Sequence, residues 1–430
     1  DALRVYVMGD RALADEPATA DDIAQMQAVL REALDAGAFG FSTGRSDNHR
    51  SAEGLPTPAS EAKEDELVAL ASVFAGRDRG VVQVVNDFDI LHGDEQFERE
   101  FALVEAMARA AGGRPLSMSL MQRDQSPDQW RWVLERVERL RSEGLPVFVQ
   151  CAPRGIGVLL GLEATFHPFI GFPSYKAIHG LPLAERVARM HDPAFKAQLL
   201  TESSETLAGD GSSIPPLADM LLKALEWIVW RVFTLGEHPN YEPDLSTSIG
   251  ARAAAEGRTA LSAIYDALLQ DAGHALLYFP IYNYTEGSLE NVRTMMNHEA
   301  ALPGLSDGGA HVGTICDASF STFLLTHWTR DRAEGRIGLA DAVQRQTQRT
   351  ARFMGMHDRG EVAVGLRADL NVIDLDRLRL RAPELIADLP AGGKRLMQRA
   401  DGYLATIVAG EVIVRNGELT GVYPGRVVRA

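Results

Sequence analysis

The chain has 430 residues, of which 46% are hydrophobic and 24% are charged, and its formal net charge is −16. This composition is typical of a globular protein with a large core and more than one structural unit. The negative charge, without a basic block, argues against binding to nucleic acid or to an anionic membrane. No apolar run approaches the ~18 residues that span a bilayer. Two cysteines do not make a disulfide framework, so a reducing cytoplasm is the expected compartment.

The pattern of the N-terminal residues is typical of the interior of a secondary-structure element, and the first residue is not an initiator methionine. We therefore expect a further segment upstream of Asp1, either on the same chain or as a second chain. The first clear helix is predicted from Thr19 to about Ala36, because Thr19 is a good N-cap and Gly37 a good stop signal.

Short apolar runs then alternate with amphipathic helical segments. Runs of this kind suit strands that are buried on both faces of a parallel sheet. Strand followed by helix, repeated, predicts right-handed βαβ units and therefore an α/β fold. The six predicted strands are residues 38–44, 80–86, 115–120, 146–151, 275–280 and the segment that leads to Asp307.

The fourth and fifth runs are separated by more than a hundred residues, which is too long for a loop. We expect an inserted helical subdomain at about residues 153–260. After about residue 351 the pattern changes to turn and strand. Ala409-Gly410 and Asn416-Gly417 are typical hairpin turns, so residues 351–430 are predicted to form a small β unit after a first domain of residues 1–350.

The most informative segment is Leu302 to His311, in which an apolar run is followed by Ser306-Asp307, two glycines and a histidine. This pattern favours a strand that delivers the Asp307 carboxylate to the mouth of a pocket. The glycines would allow a sharp turn and a close approach. The alternative is an Asx turn, in which Asp307 bonds only to its own backbone.

Several segments together resemble the amidohydrolase superfamily. The C-terminal block contains Asp358-Arg359-Gly360, followed by a Gly-x-x-Ala-Asp motif at residues 365–369 and a closing hairpin. Residues 36–44 (AGAFGFSTG), Ser306-Asp307-Gly308 and residues 416–426 (NGELTGVYPGR) narrow the resemblance to the D-aminoacylase, or N-acyl-D-amino-acid deacylase, branch. The resemblance covers nearly the whole chain.

This resemblance implies a (β/α)8 TIM-like barrel, with an inserted helical subdomain and a small C-terminal β-sandwich. It makes Asp307 the aspartate at the end of barrel strand eight, where it binds the metal or accepts a proton from the attacking water. Counting back from there, the chain should supply strands three to eight. The family's His-x-His pair belongs to strand one, and the eleven histidines here contain no such pair. The remaining metal ligands are therefore expected upstream of residue 1.

The chain departs from the family pattern at two strand tips. Asn86-Asp87 and Leu120-Met121 stand where the branch usually has histidines, so one zinc ion is expected rather than two. The implied activity is hydrolysis of the amide bond of N-acyl (D-)amino acids by a metal-activated water. A hydantoinase-like cyclic-amide hydrolase and a non-catalytic binding or scaffold relative remain open.

Further pocket residues are expected at the other strand tips, as in barrels generally. Arg123 is the first choice for binding the substrate carboxylate and Arg45 is the reserve, because a guanidinium binds a carboxylate bidentately. Asn86 and Gln150 are further candidates for substrate binding. His311 either faces the pocket, with a catalytic role, or caps the next helix. The expected partner is a small-molecule N-acyl amino acid or related amide, and a homo-oligomer is possible.

Overall fold

The computed structural model describes residues 1–46, 49, 51, 54–60, 62–86, 88, 93–207, 216–306, 308–309 and 311–430. The strands are β1 Gly40–Gly44, β2 Val81–Val85, β3 Leu116–Leu120, β4 Val147–Cys151, β5 Ile156–Leu160, β6 Phe233–Thr234, β7 Leu277–Tyr282, β8 Ala301–Pro303, β9 Leu370–Ile373, β10 Arg379–Leu380, β11 Glu384–Ile386, β12 Arg395–Met397, β13 Ala400–Asp401, β14 Tyr403–Val408, β15 Glu411–Arg415 and β16 Glu418–Leu419.

The α-helices are α1 Ala2–Met8, α2 Asp10–Leu13, α3 Ala20–Asp35, α4 Glu64–Ser72, α5 Gly93–Ala110, α6 Gln129–Ser142, α7 Pro173–Lys176, α8 Leu183–Met190, α9 Pro193–Leu199, α10 Pro216–Lys223, α11 Leu225–Ile228, α12 Ile249–Ala255, α13 Ala260–Leu268, α14 Glu290–Asn297, α15 Phe320–Thr326, α16 Leu339–Gln344 and α17 Thr350–Phe353. Two π-helical turns, His327–Asp331 and Arg345–Arg349, follow α15 and α16. Short 3₁₀ turns lie at Val229–Arg231, Leu245–Thr247, Asp271–Gly273, Asp317–Ser319 and Pro390–Gly392.

The central element is a parallel sheet with the strand order β1-β2-β3-β4-β8. Helices α4, α5 and α6 connect its first four strands in turn, so the predicted α/β class is confirmed. Helix α3 begins after Thr19 with a full capping box, in which Thr19 and Asp22 bond each other's backbone N–H. Both ends of this helix lie where the sequence predicts them.

The two faces of the parallel sheet differ in chemistry, because successive side chains of a strand point to opposite faces. One face packs against the helices in a large hydrophobic cluster that contains Val82, Met118 and Val149. The other face carries a row of polar residues in register. Ser42 pairs with Gln83 and Gln83 pairs with Ser117, and one step further along, Ser119 pairs with Gln150. The described sheet is therefore apolar toward its helices, and its other face carries these polar groups together with Phe148, which pairs with Ser117.

The fifth predicted strand is placed differently from the expectation. Strand β7 pairs antiparallel with β5 and β6 in a separate three-stranded sheet, so five of the six predicted runs join the parallel sheet. Gly157 explains the close pairing of β5 and β7, since a Cβ there would lie 2.5 Å from the carbonyl oxygen of Phe279. An apolar run of six residues carries no signal for the direction of its neighbour, so the local pattern fitted both arrangements.

The residues between β4 and β8 have a hydrophobic cluster of their own. It joins β5 and β7 to helices α7, α8, α12 and α13 around Phe169, Tyr175 and Tyr265. Helices α7 to α13 all begin within or close to the predicted inserted region of about residues 153–260. We keep the domain boundaries given above as predictions.

The C-terminal residues form an antiparallel sheet in the order β16-β15-β14-β9. The turn between β14 and β15 is Ala409-Gly410 and the turn between β15 and β16 is Asn416-Gly417, as predicted. All four turn residues have a positive φ, from 49° to 86°. This left-handed conformation is what a tight two-residue hairpin requires. Among the described residues, no helix combines the length and the apolar character needed to cross a membrane.

Substitution of Gly40, at the start of β1, is a test of the packing of the parallel sheet. A Cβ at Gly40 would collide with the backbone carbonyl oxygen of Val81 on β2, which cannot move without breaking the ladder. We expect Gly40→Ala to lower the free energy of unfolding by about 1–3 kcal/mol, the usual cost of overpacking. Gly44→Ala on the same strand is the control, because the nearest atom there is the His49 Nδ1 at 3.9 Å. Equal urea midpoints for the two variants would contradict the strand packing.

Candidate active site

The carboxyl ends of the parallel strands meet at one edge of the sheet, and the loops that follow them form the candidate site. Gln150, on β4, donates a hydrogen bond from Nε2 to the Ser117 hydroxyl at 3.1 Å. Gly304, just after β8, lies against it, since a Cβ at Gly304 would be 3.0 Å from the Gln150 Cβ. Gln150 therefore lies at the carboxyl edge of the sheet, next to the start of the loop that follows β8.

Asn86 follows β2 at the same edge and is only 6% exposed. Within the described part of the chain, neither its side-chain oxygen nor its nitrogen has a hydrogen-bond partner. The same holds for the Ser119 hydroxyl and the Gln122 Oε1, both at the end of β3. A buried polar group without a partner costs about 1–3 kcal/mol. Such groups at one edge of the sheet fit a site that receives the polar atoms of a ligand.

Arg45, the reserve choice for the substrate carboxylate, is engaged by protein groups in the structure. Its guanidinium binds Glu100 bidentately, with both N···O distances at 2.8 Å, and also donates to the Ala62 carbonyl. The partner carboxylate lies on α5 and is 4% exposed. Arg45 therefore anchors the end of β1 to α5. The sequence pattern gave no sign of this, because Glu100 is distant in the chain.

Arg123, the first choice for the substrate carboxylate, is buried in the structure. It is 8% exposed and donates from Nη1 to the Gln129 side-chain oxygen at 3.0 Å. Its guanidinium carbon lies 5.6 Å from the centre of the Phe88 ring and 6.0 Å from that of Tyr282. Its backbone forms a bridge with Ser126, so a tight turn follows β3 at this position.

The loop after β8 carries Asp307 and His311. Asp307 lies outside the described residues, and its neighbours Ser306 and Gly308 lie within them. His311 has a φ of 51°, a left-handed conformation that is uncommon for a histidine. The backbone N–H groups of Thr314 and Ile315 both donate to its carbonyl oxygen, at 2.9 and 2.8 Å. The turn at His311 is thus held by its own backbone.

The same loop is fixed to elements on both sides of it. The Gly304 N–H donates to the Cys151 carbonyl at the end of β4 at 3.1 Å. Farther along, the Leu159 N–H of β5 donates to the Thr314 carbonyl at 2.7 Å, and the Leu396 N–H of β12 donates to the Val312 carbonyl at 2.6 Å. The loop therefore depends on contacts with β4, β5 and the C-terminal unit.

A buried ion pair closes the far end of this loop. Arg154, just after β4, donates to the Cys316 carbonyl at 3.0 Å and to the Asp317 carboxylate at 3.3 Å. Both charged groups are at most 5% exposed, and the Arg154 guanidinium carbon lies 3.7 Å from the centre of the Tyr241 ring. Sequence analysis did not single out Arg154, because nothing near it in the chain marks its partner.

The structure brings His311 next to His49, a residue that the sequence analysis did not select. Their ring centroids are 5.5 Å apart and the ring planes are inclined by 26°. His49 follows β1 and His311 follows β8, so the pair joins the two edge strands of the parallel sheet. A histidine five residues after the Ser-Thr-Gly motif is the only local signal that could have pointed to it.

The thiols do not contribute reactive groups. Burial raises the pKa of Cys151 to about 12 and that of Cys316 to about 11, so both remain protonated near neutral pH. Among the described residues, no three histidine, cysteine, aspartate or glutamate side chains lie close enough to hold a metal ion. His49 and His311 are a pair with suitable donor atoms at the mouth.

A separate cavity of about 690 Å³ lies between residues 238–242, α15 and β10. In it, Glu242 accepts a hydrogen bond from His327 at 2.7 Å and two from Arg332 at 3.0 Å each. Burial opposes ionisation of Glu242, but these hydrogen bonds outweigh it and lower its pKa to about 2. No predicted site residue is among the residues that line this cavity, so we treat the cluster as structural.

Comparison with known proteins identifies one family and several structures with a similar fold. A profile of the amidohydrolase family matches residues 1–414. No curated protein sequence matches the chain. Two D-aminoacylase structures are similar, one from work on the role of its binuclear metal centre, with 20% identity and a TM-score of 0.54, and one with 19% identity and 0.52. N-acyl-D-glutamate deacylase from Bordetella bronchiseptica, with zinc and a phosphonate inhibitor, has 21% identity and a TM-score of 0.53.

Each of these three likenesses covers 100% of this chain and 70% of the other chain. They show that the fold is that of TIM-barrel amidohydrolases, so the predicted fold class is confirmed.

The anchoring role of Arg45 can be tested by its removal. Arg45→Met leaves the buried Glu100 carboxylate without this partner. We therefore expect the free energy of unfolding to fall by about 3–5 kcal/mol. A second change, Glu100→Met, should restore part of this loss. Arg79→Met, in the exposed pair with Asp78, should change it by less than about 1 kcal/mol. If Arg45→Met is as stable as the parent in urea denaturation, Arg45 is not an anchor.

The Glu242 cluster should make stability depend on pH. A carboxylate with a lowered pKa stabilises the fold above its ordinary pKa of 4.5, and this contribution is lost as the pH falls toward about 2. Glu242→Gln should therefore cost about 1.5–3 kcal/mol at pH 7, and the difference from the parent should shrink below about pH 4.5. Urea denaturation at several pH values measures this. Glu334→Gln, at an exposed position of the same cavity, is the control. A difference that does not change with pH would refute the assignment.

Proposed function

This chain belongs to the amidohydrolase family, and we propose that it hydrolyses the amide bond of N-acyl amino acids, those of D configuration first. Family membership makes it a metal-dependent hydrolase that acts on carbon–nitrogen bonds. The match extends over residues 1–414, and this observation carries the proposal. Its finer part, the substrate class, is supported by the fold shared with D-aminoacylase and with N-acyl-D-glutamate deacylase.

The form of the substrate is supported by one of these similar structures. The Bordetella deacylase was crystallised with a phosphonate that mimics the tetrahedral intermediate of its reaction. A tetrahedral intermediate arises when water attacks an amide carbonyl. An enzyme binds such a species more tightly than its substrate, because catalysis depends on stabilising the transition state. We therefore place a small N-acyl amino acid, rather than a macromolecule, at the carboxyl ends of the parallel strands.

Asp307 is the proposed proton acceptor and metal ligand. A bound divalent ion would polarise the amide carbonyl and lower the pKa of its water to about 7. The Asp307 carboxylate would take the proton from that water and pass it to the leaving amine. Support comes from its position, four residues after β8 in a loop that is tied to β4 and β5.

The uncharged polar residues at the mouth are the proposed substrate-binding groups. Glu100 holds Arg45, and Gln129 binds the buried Arg123. We therefore assign substrate binding mainly to Asn86 and Gln150. Their amides can donate to a carboxylate or a carbonyl oxygen and accept from an amide N–H. His311, at the same mouth, would bind the metal or donate to the developing oxyanion.

We expect Asp307→Asn to leave the fold intact and to remove most of the hydrolysis of N-acyl amino acids. The change keeps the size of the side chain but removes its charge and its ability to accept a proton. One general base is worth roughly 10²–10⁴-fold in rate, so kcat/KM should fall by at least about 100-fold. The assay follows amine release from N-acyl D- and L-amino acids and from hydantoins. Asp271→Asn is the control. Asp271 is exposed, and its φ of 50° lies in the left-handed region that asparagine also tolerates, so the same change of residue should have little effect there.

Three outcomes decide between the alternatives. Hydrolysis of the acyl amino acids that is lost in Asp307→Asn supports the proposal. Turnover of the cyclic amides alone would assign the chain to that class instead. Metal-loaded protein without any hydrolysis, or an Asn variant within a few-fold of the parent, would favour the non-catalytic relative.

A further inference from the structure

We propose that His49 and His311 are metal ligands, which together bind one divalent transition-metal ion between the loops after β1 and β8. This inference rests on the proposed function, because it supplies ligands for the metal of that reaction from the described chain itself. Neither residue belongs to the His-x-His pair of the family or to the two strand-tip positions at which this chain lacks histidine. The pair would be a local ligand set on two loops.

The separation of the two rings fits one shared ion. A zinc–imidazole nitrogen bond is about 2.0–2.1 Å long, which places the ion about 3.2 Å from the ring centre. Two rings at a tetrahedral angle around one ion then have centres about 5.2 Å apart. The observed distance is 5.5 Å. Each imidazole has two nitrogens, and a metal-bound histidine usually engages a protein group with the other. Neighbouring contacts of either ring are therefore compatible with the site.

The backbone holds His311 in a position that sequence alone would not favour. Its positive φ is stabilised by the hydrogen bonds from Thr314 and Ile315 and by the attachment of the loop to β5 and β12. Strained conformations of this kind persist where the surroundings impose them, and they are concentrated at functional sites. The side chain itself is exposed. A fixed backbone with an exposed imidazole is a preorganised ligand.

His49 is held in a similar way at the other edge strand. Its N–H donates to the Ser46 carbonyl at 3.2 Å, and its ring lies over Gly44, the last residue of β1. The backbone of Arg45 donates to the Val85 carbonyl of β2, and its side chain binds Glu100. The loop therefore starts from an anchored strand end.

The chemistry of the pair predicts which ions bind. Imidazole nitrogen prefers zinc, cobalt, nickel and copper, whereas magnesium and calcium prefer oxygen ligands. The net charge of −16 also favours the approach of a cation. The competing explanation is a stacked pair of rings without a ligand role, and metal titration separates the two.

The experiment is a titration of the metal-free full chain with cobalt(II) at pH 7.5, followed by visible absorption and by equilibrium dialysis. Magnesium is titrated in parallel. The variants are His49→Ala and His311→Asn, the latter because Asn tolerates the left-handed backbone at this position. His191→Ala, an exposed histidine on the inserted region, is the control. Loss of a partner outside the ligand set already costs 10–100-fold in metal affinity, so each site variant should bind cobalt at least about tenfold more weakly.

The parent and the control should give the same cobalt spectrum, and the site variants should change it. Thermal unfolding checks that all four proteins are folded. Cobalt affinity and spectra that are unchanged in both site variants would overturn the inference and leave the proposed function standing, if hydrolysis is still lost in Asp307→Asn. Cobalt that binds through the two histidines without hydrolysis in the parent would support the metal site and refute the proposed function instead.

Discussion

The pairing of β8 with β4 is the constraint on which the rest of the site depends. These strands are separated in the chain by residues 152–300, yet Val149 to Cys151 align in parallel with Ala301 to Pro303. Because the strands run in the same direction, their carboxyl ends emerge at one edge. This pairing places Gly304, at the start of the loop after β8, beside Gln150. It also makes β8 an edge strand of the described sheet, opposite β1.

Charged residues near the strand ends serve mainly to hold these loops. Glu100 fixes Arg45 at the end of β1, and Asp317 fixes Arg154 after β4. A buried ion pair gains little stability over an apolar pair, but breaking one is costly, because it leaves a charge without a partner in a medium of low dielectric constant. Such pairs therefore fix the geometry of a site more than they add to its stability. In this protein they leave the histidines and the amide side chains as the described groups at the mouth.

Much of the architecture could be predicted because it depends on local patterns. Thr19 and Gly37 mark the ends of a helix through capping chemistry, and Asn416-Gly417 marks a hairpin through its positive φ angles. Five of the six predicted runs were correctly assigned to the parallel sheet. The run at residues 275–280 was not, since β7 joins an antiparallel sheet with β5 and β6. Strand direction is a property of the partner, and an apolar run of this length does not encode it.

The α/β class, the resemblance to the amidohydrolases and the Ser-Asp-Gly-Gly-Ala-His segment after a short strand all follow from the printed residues. They do so because periodicity, capping and short motifs are recognisable within a few residues. The folded chain is needed to show that Arg45 is held by Glu100, that Arg123 is buried and that the His49 ring lies next to the His311 ring. Glu100, the partner of Arg45, is 55 residues away in the chain and meets it only in the folded protein. Burial and pairing of a polar side chain are set by its surroundings in space.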